Sequence, residues 1–137
     1  MKAWLVNTNS KISNGNPNGY EYMLRQNKAA AYYEQAAKVD KISKGDLILL
    51  YNNDNNVVAV GAVVEKPKRH DFSDMNVEHW ADVNWLWKSE FDLNKPLTPI
   101  NRNDIGITMV YNTVVNITSQ LNYEKLFSEI CKKQRYL

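Results

Sequence analysis

The stretch from Lys44 to Val64, KGDLILLYNNDNNVVAVGAVV, constrains the fold more than any other part of the chain. A Lys44-Gly45-Asp46 turn launches an apolar strand that ends in a tyrosine, Leu47 to Tyr51. Asn52–Asn56 is made of turn formers, and Val57–Val64 follows as a second strand with Gly61 inside it. Two apolar runs joined by a short polar loop of this kind predict a β-hairpin.

Around this hairpin the remaining elements are short. Ala3–Val6 reads as a first strand, and the Asn/Ser/Gly/Pro stretch from Asn7 to Gly19 reads as a long loop. A loop of that length in a compact domain points to function or motion. Tyr20–Lys38 is rich in helix formers and predicts two short helices broken near Asn27. Pro67–Glu78 is polar and irregular. Ala81–Phe91 alternates, which places Val83, Trp85 and Trp87 on one face of a strand. Ile105–Tyr111 and Val114–Ile117 read as two further strands. Tyr123, Leu126, Phe127 and Ile130 fall at i, i+3, i+4 and i+7 of a terminal helix, with Asn122 placed to cap it. About six strands with peripheral helices make an α+β, barrel-like plan.

At 137 residues with 44% hydrophobic content, the chain suits one globular domain, residues 1–137, with one core. The balance of 17 basic against 15 acidic side chains leaves a formal charge of +2, too small for a generic polyanion binder. Nucleic-acid contact would therefore need a local patch. The single cysteine, Cys131, permits no internal disulfide and no cysteine-based zinc site, as expected in a reducing cytoplasm. No apolar run approaches membrane-spanning length, and the chain opens on strand-like residues without a signal pattern. The expectation is a cytoplasmic domain with no membrane partner.

Aromatic residues are the first candidates for chemistry. Four tryptophans and eight tyrosines supply much flat surface, and a single-stranded or flipped base needs stacking faces plus a few amides on its edge. Trp4, Trp85 and Trp87 run in phase with aliphatic neighbours, as core residues do. Trp80 lies beside His79 at the edge of a polar loop, where core and pocket are equally open to it. Tyr20, Tyr22, Tyr32 and Tyr33 lie outside clear strands. Asn7 and Asn9 follow the first strand directly, with a donor and an acceptor each, although Asn also favours turns for local reasons. Lys66, Lys68, Arg69 and His70 form the one dense basic cluster, suited either to a phosphate backbone or to solvent.

Catalytic patterns are lacking. The sequence holds no Gly-rich phosphate loop, nucleophile elbow or His-Glu-x-x-His. His70, Asp71, Asp74, Glu78 and His79 match no metal-ligand spacing. An acid-x-Lys nuclease strand would need an acid two before a lysine, yet Val64 precedes Lys66 and Lys66 precedes Lys68. The reading is non-enzymatic, with no metal and no cofactor.

Taken together, Ala3-Trp4-Leu5-Val6-Asn7-Thr8-Asn9, Ala29–Tyr33, Lys44–Tyr51, Val57–Gly61 and His79-Trp80 with Val83–Trp87 resemble the EVE/YTH-like domains of the PUA-like superfamily. Such domains occur in McrB-type modification-dependent restriction systems. The resemblance implies a PUA-like mixed β-barrel that holds one modified base of DNA or RNA in an aromatic pocket. It implies base contacts from Thr8 and Asn9, and one cage wall from Tyr32 or Tyr33 with Tyr20 and Tyr22 as rivals. It also implies a second wall from Trp80, with Trp85 as the alternative. Lys66, Lys68 and Arg69 would then grip the backbone, and a separate nuclease or motor subunit would be the effector. Tyrosine stands where YTH domains use tryptophan, so the resemblance leaves the modification open. The competing reading from another class is a protein-interaction or assembly module with no nucleic-acid role.

Overall fold

The computed structural model describes residues 1–8, 19–53, 56–65, 67–70, 78–93, 95–110 and 112–134. Its strands are β1 (Ala3–Asn7), β2 (Lys28–Tyr32), β3 (Leu47–Asn52), β4 (Asn56–Val63), β5 (Lys68–His70), β6 (Glu78–Lys88), β7 (Phe91–Asp92), β8 (Lys95–Pro96) and β9 (Val114–Asn116). Two α-helices, α1 (Tyr20–Gln26) and α2 (Tyr123–Lys133), join two 3-10 helices at Tyr33–Lys41 and Arg102–Ile105. The main sheet runs β2-β6-β4-β3-β1-β9, with β5 paired to the first residues of β6. β1 lies parallel to β3 and every other pairing is antiparallel. The fold is α+β, built on a mixed sheet.

This sheet carries apolar residues on both faces. Trp4, Val6, Ile48, Leu50 and Val58 belong to one buried cluster, together with Met23, Val39 and the alanines of β2. Leu5, Leu49, Tyr51, Val57 and Val60 belong to a second, closed by Ile105, Ile107, Leu126 and Ile130. Burial on both sides explains why β3 and most of β4 are uninterrupted apolar runs instead of alternating ones. The Gly45 turn ahead of β3 has φ of +89°, a conformation open to glycine at little cost. The hairpin predicted from Leu47–Tyr51 and Val57–Val64 is therefore present, as β3 and β4.

Between Tyr20 and Lys38 the structure departs from expectation. Only Tyr20–Gln26 is an α-helix, ended by Asn27 in the left-handed conformation. Lys28–Tyr32 is a strand paired residue for residue with Asp82–Glu78, and Ala29, Ala30 and Ala31 are all buried there. Alanine favours helix by propensity, but ladder bonds and complete burial against β6 outweigh a preference worth a few tenths of a kcal/mol per residue.

Two further expectations change. Ile105–Tyr111 is not a strand over its described residues, because the Arg102 guanidinium takes the carbonyls of Ile107 and Thr108 that a ladder would use. Val83, Trp85 and Trp87 do not share one face. Val60 pairs with Trp87 and Gly61 with Trp85, so Leu86 is an extra residue in β6. That bulge shifts the phase: Val83 and Trp85 join the first cluster and Trp87 the second. Terminal helix α2 is capped by Asn122, whose side chain accepts from the Lys125 N–H at 3.0 Å. Its buried stripe is narrower than expected, for Leu126 and Ile130 are buried while Phe127 is exposed. Among the described residues no helix is long and apolar enough to cross a membrane.

Candidate functional site

The sheet curls, so that β2 at one end returns toward β1, and both contribute to the same core cluster. At the rim, where β1 and β2 end, a cavity of about 260 Å³ lies between them. Asn7 and Thr8 come from the exit of β1, and Ala30, Ala31 and Tyr32 from β2. Tyr33, Glu34 and Gln35 come from the first turn of the 3-10 helix, Met23 from α1, and Thr113 from the segment before β9. The volume falls just below the range for drug-sized ligands and suits one small planar group.

Local geometry fixes these side chains. The Thr8 hydroxyl donates to the Tyr51 carbonyl at 3.1 Å, and its backbone N–H donates to the same oxygen at 2.8 Å. Asn7 donates its side-chain N–H to Asn53 Oδ1 at 3.2 Å. Tyr32 sits opposite Glu78 across the ladder and donates its hydroxyl to Glu78 Oε2 at 2.9 Å. Burial, and then the Glu78 charge, push the Tyr32 phenol far above its ordinary value of 10.0, so it remains a donor.

Tyr33 has φ of +53°. A bulky residue in the left-handed region costs roughly 1–2 kcal/mol, and such outliers cluster at functional sites. Two residues further along the helix, Gln35 Oε1 is buried without a hydrogen-bond partner among the described residues. A buried acceptor left without a hydrogen bond costs about 1–3 kcal/mol. Glu34, which is exposed at the same wall, is a second acceptor.

Of the residues singled out from sequence, the structure brings Asn7, Thr8, Tyr32 and Tyr33 together here. Asn9 and Lys66 lie outside the described residues. Trp80 does not line the cavity; its ring lies under the Lys28 ammonium, 4.9 Å from Nζ to the centroid. Lys28 is buried and completes a network with Glu78 at 3.0 Å and the Tyr22 hydroxyl at 3.0 Å. Trp85 is likewise elsewhere, half-buried against the first core cluster beside Gly61. Lys68 and Arg69 line a separate surface hollow with Lys44 and Asp40, and Lys68 pairs with Asp82 at 2.7 Å. Met23, Ala30, Ala31, Glu34, Gln35 and Thr113 were not foreseen. Their one sequence signal is adjacency, since Glu34 and Gln35 directly follow the tyrosine pair.

A family model spanning residues 6–118 matches this chain. The chain belongs to the domain of unknown function DUF8426. The matched DUF8426 span takes in every lining residue of the cavity, whereas Lys2 and α2 lie outside it. No curated protein matches the chain. Among solved structures it is similar to Rpa0253 from Rhodopseudomonas palustris, determined by NMR, at 13% identity and a TM-score of 0.50, covering 100% of this chain and 95% of that one. It is also similar to PSPTO5229 from Pseudomonas syringae, a crystal structure, at 11% identity and a TM-score of 0.50, covering 93% and 99%. At these identities the likeness concerns the fold alone.

Proposed function

We propose that this DUF8426 domain is a PUA-like, EVE/YTH-type reader that accepts one modified base of DNA or RNA in the rim cavity, with no catalytic role of its own. The observation that carries the reading is the pairing of a strained Tyr33 with the unpartnered Gln35 Oε1 in one small cavity. Tyr33 offers a stacking face, and stacking on an aromatic residue is worth roughly 1–3 kcal/mol per base. Gln35 and Glu34 both accept, so the base edge they read must donate. Adenine N6 and cytosine N4 do so, and each keeps an N–H when singly methylated. The apolar wall of Met23, Ala30 and Ala31 rewards a methyl group. Thr8, bonded to Tyr51, fixes the β1 side of the slot.

The test is fluorescence titration with single-stranded oligonucleotides that carry N6-methyladenine, N4-methylcytosine or the parent base. The reader requires tighter binding of one modified strand, and Tyr33→Ala or Gln35→Ala should abolish the preference while the domain stays folded. Equal affinity for modified and parent strands removes the proposal. In this reading a separate nuclease or motor subunit supplies the effector.

A further inference from the structure

The 3-10 helix from Tyr33 to Lys41 is unusually long for its type, and its geometry has a consequence for ligand binding. With three residues per turn, positions i and i+3 eclipse, so the helix has three edges. Ala36 and Val39, with Ile42 just past the end, form the buried edge. Glu34, Ala37 and Asp40 form an exposed one, from which Asp40 reaches His79 Nδ1 at 2.8 Å. Gln35, Lys38 and Lys41 form the third, which starts at the cavity wall and runs away from it.

Lys38 and Lys41 then border a groove of about 430 Å³ with Lys2, Trp4, Asn112 and Asn116. Groove and cavity are joined along the chain, since Asn112 borders the groove and the next residue, Thr113, the cavity. Lys38 Nζ meets Asn112 Oδ1 at 3.4 Å, and neither Lys2 nor Lys41 has an ion pair among the described residues. Asp46, which meets the groove residues Lys2 and Trp4, is taken by the Trp4 Nε1–H and by the Lys2 and Ser43 backbone N–H groups. At about 2.0 Å rise per residue, Lys38 and Lys41 stand roughly 6 and 12 Å along the axis from Gln35.

We infer that the sugar-phosphate backbone of a single nucleic-acid strand follows this lysine edge, held by Lys38, Lys41 and Lys2, while the base it presents enters the neighbouring cavity. The inference rests on the base-pocket reading for the position of that base. It places the phosphate track on the helix in place of the Lys68–Arg69 hollow, where Lys68 is already committed to Asp82.

The experiment is fluorescence anisotropy of a labelled single strand of about twelve nucleotides, plain or carrying one N6-methyladenine or one N4-methylcytosine, across a salt series. Three phosphate contacts cost roughly 20-fold in affinity between 50 and 200 mM salt, and one costs roughly 3-fold, at a slope near 0.7 per phosphate. Wild type should show the larger loss and Lys38→Gln/Lys41→Gln the smaller, with unchanged thermal melts. Lys68→Gln/Arg69→Gln should keep the wild-type slope. N6-methyladenosine as a free nucleoside should bind wild type and the Lys38/Lys41 variant equally. An unchanged slope in that variant, or a slope lost in the Lys68/Arg69 variant, overturns the track. Weakened nucleoside binding in the Lys38/Lys41 variant overturns it too. If the slopes behave as expected while methylated and plain strands bind alike, the track stands and the base reader falls. If methylation is discriminated but the Lys38/Lys41 variant keeps its slope, the reader stands and the track falls. Absence of any strand binding by wild type removes both.

Discussion

Replacing Asp46 with asparagine tests how the start of the fold is held. Its Oδ1 accepts the Lys2 N–H at 3.0 Å, and its Oδ2 accepts the Trp4 Nε1–H and the Ser43 N–H, each at 2.9 Å. One carboxylate thus ties the beginning of β1 to the turn that leads into β3. Asparagine keeps the shape but turns an N–H₂ against at least one donor. Two surviving bonds fall from charge-assisted to neutral at about 1 kcal/mol each, and a third is lost at about 1–1.5 kcal/mol. The sum is about 3 kcal/mol, or roughly 10 °C in melting temperature for a domain this size. Burial alone would raise the Asp46 pKa, but the bonds from Lys2, Trp4 and Ser43 outweigh it and hold the carboxyl below its ordinary 3.8. A depressed folded value means that the stabilisation is complete above 3.8 and disappears as pH falls through the folded pKa. Urea denaturation of wild type and Asp46→Asn, at neutral pH and in steps below pH 4, reads both effects. A difference under about 0.5 kcal/mol at neutral pH refutes the hydrogen-bond reasoning. A difference that stays constant down to about pH 2 refutes the charge reasoning.

Other perturbations follow from the same geometry. Gly61→Ala puts a Cβ 2.7 Å from the Asn84 carbonyl oxygen and 2.9 Å from Trp85 Cε3, and against Val83 Cγ1. It should destabilise by about 2 kcal/mol, read as a lowered melting temperature. The Trp85 Nε1–H is buried without a partner among the described residues, whereas that of Trp4 donates to Asp46. Trp85→Phe should therefore cost less than about 1 kcal/mol and Trp4→Phe about 2 kcal/mol, and equal costs in urea titration contradict this. Lys28→Met leaves the largely buried Glu78 carboxylate without its cation and should cost about 3 kcal/mol. A double-mutant cycle with Glu78→Gln should recover more than half of that loss, since the second change removes the stranded charge.

The parts of the fold legible in the sequence are those where local chemistry and tertiary demand agree. The β3–β4 hairpin is marked by two apolar runs and a loop of turn formers, and α2 by its stripe and its Asn122 cap. β2 was hidden because Ala29–Ala31 favours helix in isolation and only the partner β6 converts it. The Leu86 bulge belongs to the register between β4 and β6, so alternation along β6 alone gave the wrong face for Trp87. Residues 36, 39 and 42 and lysines 38, 41 and 44 repeat every three positions in the sequence, a 3-10 signal that a search at 3.6 residues per turn blurs. In the cavity, Thr8, Tyr32 and Tyr33 are residues that the family resemblance implied. Composition could not show that Trp80 serves as a platform for Lys28.

Covering the sheet on two sides leaves a ligand no broad floor to lie on. In the proposed reading, recognition is driven to the margin, where strands stop and carbonyls, amides and turn residues are uncovered together. A module built this way can change what it recognises by altering a handful of strand-end and turn positions, while the doubly buried centre stays as it is.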